Sequence, residues 1–203
     1  MIAKYRSPNH HIAEHINSVP HILGISGSLR RGSFNTSLLR AAVDVAPTGT
    51  TIEIASIAEI PLYNADVEAA GIPAPVQALK DKLAAADGLL IATPEYNNSI
   101  PGVAKNAIDW LSRPPSDVPR LFRNKPIAIM GATPGQGGTI LSQAAWLPIL
   151  ATLGTSPYFG GRLRVSGAGK VFDAEGKLLD DGIREQLKKF VEGFAAYCAS
   201  HSK

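Results

Sequence analysis

The sequence contains very few sulfur-containing residues. Its 203 residues include one cysteine, Cys198, and two methionines. A single thiol cannot form an internal disulfide, and it excludes iron–sulfur clusters and multi-cysteine metal sites. Because Cys198 falls on the apolar face of a predicted C-terminal helix, we expect an inert, packed thiol.

Histidine is also sparse. The five histidines stand near the chain ends, at positions 10, 11, 15, 21 and 201. They indicate no Ser-His-Asp arrangement for nucleophilic catalysis. His11 and His15 would share one face of a helix, but no recognisable metal motif accompanies them, so we predict no metal site.

Long charged runs and long apolar runs are absent as well. Charged residues make up 18% of the chain and the net charge is +3. Without a Lys/Arg run, nucleic acid is not an expected partner. No stretch approaches the length of a membrane span, and residues 1–18 lack the apolar core of a secretory signal, so we expect no membrane partner and a cytoplasmic location. We predict one domain over 19–203, preceded by a poorly ordered extension over 1–18.

The remaining sequence alternates between strand and helix patterns. The predicted strands cover 21–26, 50–55, 88–93, 126–130 and a stretch near 155–165. The predicted helices cover 35–46, a segment opened by Pro75, 101–112, 139–153 and the chain from about 182; Pro148 should kink or interrupt the fourth. This alternation predicts an α/β fold with a doubly wound, five-stranded parallel sheet and helices on both faces. Such folds bind ligands beyond the carboxyl ends of the strands, which selects the loops 26–35, 93–100 and 131–138.

The first loop lies within "GISGSLRRGSFN", residues 24–35, between a strand and a helix. A helix N-terminus accepts anions, and this one is surrounded by side-chain donors: Ser26, Ser28, Ser33, Asn35 and Thr36. Arg30 adds a planar fork of donors that suits a phosphate. The alternative is a helix cap made by Ser33 or Asn35. The Gly-Lys-Ser/Thr and G-x-G-x-x-G patterns are absent, so a terminal monophosphate fits better than ATP, GTP or a Rossmann-bound dinucleotide.

The other two loops provide surfaces for a flat ring. In "TPEYNNSIPG", Tyr96 offers an aromatic face while Pro94 and Pro101 stiffen the backbone. Taken alone, this stretch is equally compatible with an ordinary loop. The glycine-rich "GATPGQGG" would bring backbone donors to a ring carbonyl, or would serve as a flexible connector.

Three segments together resemble a known family. "GSLRRGSFN", "PEYNNSIPGVAKNAIDWLSR" and the glycine-rich third loop are similar to the NADPH-dependent FMN reductases, which include bacterial quinone, chromate and azo-dye reductases. The resemblance runs from about His21 to the C-terminus. It implies a flavodoxin-like fold with strand order 2-1-3-4-5, bound FMN, NADPH or NADH as electron donor, and assembly into a homodimer or homotetramer.

The resemblance also implies roles for individual residues. The FMN phosphate and ribityl chain would lie in the first loop, against Ser26, Ser28, Leu29, Arg30, Ser33, Phe34 and Asn35. The isoalloxazine would be bordered by Pro94, Glu95, Tyr96 and Asn97, and by Ala132, Thr133 and Gly135. Asn98 and Ser99 would lie near the nicotinamide or the acceptor. Glu95 is expected to position other groups, and Arg31 to point away from the phosphate.

The implied reaction needs no catalytic side chain. NAD(P)H would pass a hydride to the flavin, which would then reduce a quinone, an azo compound, a chromate-like oxyanion or free flavin, so the cofactor carries the chemistry. Two alternatives stay open at this point. One is a flavodoxin-type electron carrier, although such carriers are typically acidic and this chain is mildly basic. The other is a nucleotide-binding or regulatory module without flavin.

Overall fold

The apolar strand segments pair side by side into a parallel sheet. The computed structural model describes residues 19–201. Its strands are β1 His21–Ser26, β2 Thr51–Ala55, β3 Gly88–Ala92, β4 Pro126–Ala132, β5 Ser156–Pro157 and β6 Leu163–Val165. They follow the order β2-β1-β3-β4-β5, with β6 also pairing with β4, and every pair is parallel. The predicted strand order is confirmed.

Helices cover both faces of this sheet, as predicted. They are α1 Phe34–Asp44, α2 Ala65–Ala70, α3 Ala74–Ala85, α4 Gly102–Leu111, α5 Val118–Leu121, α6 Ile140–Thr152 and α7 Asp181–His201. Apolar side chains of α1 and α7 pack on one face, and those of α3, α4 and α6 pack on the other. Every residue of β3 is buried, because a central parallel strand is covered from both sides.

The prediction of five strands is wrong by one. The stretch expected to form a single strand near 155–165 makes two short strands, both paired with β4. Between them, Gly160 lies against the Tyr158 ring, and a Cβ at Gly160 would come within 2.6 Å of that ring. The chain therefore leaves the sheet to pass around the aromatic ring and rejoins it at Leu163.

Smaller differences concern the ends and the connections. β4 continues through Ala132, two residues beyond its predicted end. Helix α2 lies in a stretch to which the sequence analysis assigned no helix, and Asn64 caps it by accepting a hydrogen bond from the Asp66 N–H. Of the kink or interruption predicted at Pro148, the interruption is not found, since α6 continues through that residue to Thr152.

Cys198 is a packed thiol, as predicted. It is fully buried on α7, and burial raises the pKa of the thiol to about 12. His10, His11, His15 and the predicted extension over 1–18 lie outside the described residues. Within 19–201, no cluster of three or more histidine, cysteine or acidic side chains is arranged to hold a metal ion. The described helices also include none that is both long and apolar enough to cross a membrane.

Candidate functional site

The carboxyl ends of β1, β3 and β4 meet at one edge of the sheet, and the three loops that follow them enclose a cavity of about 470 Å³. We call it the loop cavity. It is lined by Ser28, Arg30, Ser33, Phe34, Asn35, Pro94, Glu95, Tyr96, Ala132, Thr133 and Pro134. All but Pro134 are residues that the sequence placed in a binding site. The volume lies in the range of small-molecule and cofactor sites.

Six predicted residues are not on the cavity wall: Ser26, Leu29, Asn97, Asn98, Ser99 and Gly135. Ser26 acts within the first loop. Its hydroxyl accepts hydrogen bonds from Thr36 Oγ1 at 2.9 Å and from the Ser28 N–H at 3.4 Å. Leu29 is 51% exposed. Ser26 therefore shapes the loop that carries Ser28 and Arg30 to the cavity.

The start of α1 forms the wall of the loop cavity on the side of the first loop. Ser33 caps the helix, because its hydroxyl accepts a hydrogen bond from the Thr36 N–H at 3.3 Å. The first turn contains no acidic residue. A helix start leaves unpaired N–H groups and a partial positive charge, which favour an anion. The cap and the anion site are thus compatible, since the Ser33 hydroxyl supports the helix start that faces the cavity.

Arg30 provides the cation at this end of the cavity. It is exposed, and its guanidinium carbon lies 5.3 Å from the centre of the Phe34 ring. It forms no ion pair with any residue between 19 and 201. Arg31 is not part of the wall of the loop cavity.

Asn35 connects the first loop to the third. Its side-chain amide donates to the Ala132 carbonyl at 2.9 Å, and its side-chain oxygen accepts from the Ala132 N–H at 2.9 Å. Asn35 is 3% exposed. This buried pair, which we call the Asn35 clamp, holds α1 against the end of β4. The sequence suggested a phosphate contact for Asn35, and in the structure its side chain sets the spacing between two cavity walls.

Glu95 connects the second loop to α6. One oxygen of its carboxylate accepts hydrogen bonds from the N–H groups of Leu141 at 2.8 Å and Ser142 at 3.1 Å. Thr139, at the N-cap position, makes no side-chain cap. A carboxylate at a helix N-terminus is stabilising, and here it replaces the missing cap from another loop. Its contacts agree with the positioning role that the sequence suggested.

A tight turn ends the second loop. Tyr96 and Ser99 exchange two backbone hydrogen bonds of 3.1 and 3.0 Å. Asn97 and Asn98, between them, have φ angles of 50° and 61°. Two positive φ values in a two-residue turn are typical of type I′ hairpins, and asparagine tolerates them well. The turn presents Tyr96, which is 50% exposed, at the cavity mouth.

Three threonine and serine side chains near the cavity were missed by the sequence reasoning. Thr93 Oγ1 lies 2.9 Å from Ser142 Oγ and accepts from Trp146 Nε1 at 3.2 Å. Thr139 is fully buried with φ of 61°, close against Gly131. Thr93 could have been found from the sequence, because it is a hydroxyl residue directly after an apolar strand. These contacts fix the second loop and α6 behind the cavity.

Comparison with known proteins agrees with this geometry. The family model described as NADPH-dependent FMN reductase matches residues 20–169. An NAD(P)H-dependent FMN reductase from Pseudomonas aeruginosa is 48% identical over 168 residues, covering 83% of this chain and 89% of the relative. A quinone reductase from Escherichia coli is 38% identical, covering 87% of this chain and 94% of that protein.

A solved structure shows the same similarity in three dimensions. The flavoenzyme NAD(P)H:(acceptor) oxidoreductase FerB from Paracoccus denitrificans aligns with a TM-score of 0.81 and 32% identity. The alignment covers 90% of this chain and 98% of FerB. Sequence and structure thus agree over nearly the full length of each relative, and the chain belongs to the NADPH-dependent FMN reductase family.

Proposed function

We propose that this protein binds FMN in the loop cavity, oxidises NADPH or NADH, and reduces quinones. The observation that carries the proposal is that ten residues predicted from three distant segments line one cavity. The names of the relatives support the reaction class, since they include FMN reductases and quinone reductases. The proposal includes azo compounds, chromate-like oxyanions and free flavin as further electron acceptors. It also places the protein in the cytoplasm.

The donor set of the cavity fits FMN. The start of α1, Ser28 and Arg30 offer hydrogen-bond donors and positive charge for the phosphate. At the other end, Pro94, Tyr96 and Ala132 provide an apolar, partly aromatic wall for the ring. When bound, FMN supplies the hydride acceptor and the electron store for the reaction.

The role of the protein's own residues is to bind and orient the cofactor. The Asn35 clamp sets the distance between the first and third loops, and Glu95 ties the second loop to α6. The exposed turn over Tyr96–Ser99 stands at the mouth, where the nicotinamide and the acceptor would enter.

Turnover is the decisive measurement. The purified protein with FMN should oxidise NADPH continuously when a benzoquinone is present, because the cofactor cycles between donor and acceptor. The control is the same mixture without quinone, which should consume NADPH far more slowly. Bound FMN without NAD(P)H oxidation would identify an electron carrier instead. A colourless protein that ignores added FMN would identify a nucleotide-binding module.

We also propose a homodimer or homotetramer. Helix α6 exposes Ile140, Leu141 and Leu147 on its outer face, and Phe159 nearby is 67% exposed. Helices that are apolar all round are normally covered. Light scattering should give two or four times the chain mass, and Leu147→Glu should lower it. Leu179→Glu, at a 55% exposed position outside α6, is the matched control and should not. A single-chain mass for the unmodified protein would contradict the proposal.

A further inference from the structure

The chain between β6 and α7 packs against two of the loops that enclose the loop cavity. We call residues 166–180 the return segment. It is held to the third loop by backbone hydrogen bonds, from the Gly167 N–H to the Gly135 carbonyl at 3.0 Å and from the Ala168 N–H to the Thr133 carbonyl at 3.0 Å. The return segment therefore starts at a fixed position beside the cavity.

Phe172 connects the return segment to the first loop. It is 4% exposed, and a backbone bridge pairs it with Leu178, which is also buried. Its ring stacks on the ring of Phe34, with centroids 6.0 Å apart and an angle of 24° between the planes. The Phe34 ring in turn lies 5.3 Å from the guanidinium carbon of Arg30. Three side chains in series thus lead from the core to the cation of the loop cavity.

Arg30 has few other restraints. It is exposed and forms no ion pair with any residue of the described range 19–201. It also lines an adjoining cavity of about 530 Å³, whose wall includes Asp173 and Glu175. Because opposite charges attract, an unrestrained guanidinium would be drawn toward these carboxylates and away from the loop cavity. The cation–π contact with Phe34 opposes that movement, provided that the Phe34 ring itself is fixed.

We infer that Phe172 is a positioning residue for the FMN phosphate: it fixes the Phe34 ring, and that ring holds the Arg30 guanidinium at the loop cavity. This deepens the proposed function and rests on it. Phe172 is not among the residues that line the loop cavity, so its effect reaches the ligand through Arg30. A guanidinium that is already in place loses less conformational freedom when the phosphate binds, and the affinity is higher for that reason.

The test compares FMN with riboflavin, which lacks the phosphate. In fluorescence titrations of the full-length protein stripped of flavin, Phe172→Leu should weaken FMN binding about five- to tenfold, the effect of losing an aromatic pair that supports a cation–π contact. Riboflavin binding should change less than about twofold, because riboflavin makes no use of Arg30. The matched control is Phe194→Leu. Phe194 is equally buried in the same apolar cluster but contacts Tyr158, so this variant should leave the ratio of the two affinities unchanged.

A double-mutant cycle separates positioning from a general effect on the core. In an Arg30→Ala background, Phe172→Leu should change FMN affinity less than about twofold, because the group that it positions is gone. Phe172→Met fills the same space and carries the same expectations if Phe172→Leu folds poorly. Equal losses for FMN and riboflavin, or the same loss with and without Arg30, would overturn the inference.

The unmodified protein tells the two proposals apart. If it does not bind FMN, the proposed function is overturned. If it binds FMN and Phe172→Leu binds FMN equally well, the inference alone is overturned.

Discussion

Gly131→Ala is expected to destabilise the protein severely and to abolish FMN binding. Gly131 lies in β4 where β3, β4 and the start of α6 converge. An added Cβ would stand 2.0 Å from Thr139 Oγ1 and 2.5 Å from the Thr93 carbonyl oxygen. The second contact is with backbone, which no side-chain rotation relieves. Overpacking of this kind costs about 3 kcal/mol or more, and the accommodating shift would separate the second loop from the third.

Chemical denaturation and the flavin content of the purified variant test this prediction. The free energy of unfolding should fall by at least about 3 kcal/mol, and the purified variant should contain little FMN. The matched control is Gly102→Ala at the start of α4, where an added Cβ meets nothing within 4 Å. Alanine is the better helix former, so that control should be as stable as the unmodified protein or slightly more stable. Equal stability for both variants would show that the β3–β4 edge adapts easily.

Removing the Asn35 clamp should have the next largest effect. Asn35→Ala takes away two buried hydrogen bonds and leaves the N–H and carbonyl of Ala132 without those partners. Buried backbone groups left unpaired cost roughly 1–3 kcal/mol each, so a loss of about 2–5 kcal/mol is expected. FMN affinity should fall as well, because the first and third loops would no longer be held at a set distance.

Two further variants separate the clamp from a general loss of stability. Asn35→Asp keeps an acceptor for the Ala132 N–H but places an oxygen against the Ala132 carbonyl, so it should not restore FMN binding. Asn64→Ala removes a helix cap from α2, away from the site, and should cost about 1 kcal/mol while FMN affinity stays unchanged. An Asn35→Ala protein with normal FMN affinity would contradict the positioning role.

Local pattern was enough to place the cavity. The apolar run before Thr93 and the Gly/Ser/Arg stretch after β1 each indicate where a strand ends. Parallel strands bring their carboxyl ends to one edge of the sheet. The strand order came from the family resemblance. What each side chain does there was harder to predict. Asn35 and Ala132 are 97 positions apart, and Glu95 and Leu141 are 46 apart. Periodicity carries no information about such pairs.

The prediction of one strand near 155–165, where the structure has two, was wrong for a different physical reason. The segment near 155–165 has strand-forming residues on both sides of Gly160 and Gly161, and in the sequence these glycines blurred the limits of the strand. In the structure the Tyr158 ring packs against Phe190, Phe194 and Tyr197 of α7. Between the two short strands, the backbone runs next to the Tyr158 ring instead of continuing as a single strand. The packing of Tyr158 therefore acts together with Gly160 and Gly161, and the segment forms two short strands instead of one.

The turn at Tyr96–Ser99 has a practical consequence for protein engineering. The turn closes on its own two backbone hydrogen bonds, and its four residues are exposed. Surface loops of this kind accept changes of length at little cost in folding free energy. Libraries that vary Asn97 and Asn98 would alter the rim of the cavity while leaving the strands behind it intact. Under the proposed function, this four-residue turn is therefore the natural place to vary the range of molecules that enter the cavity.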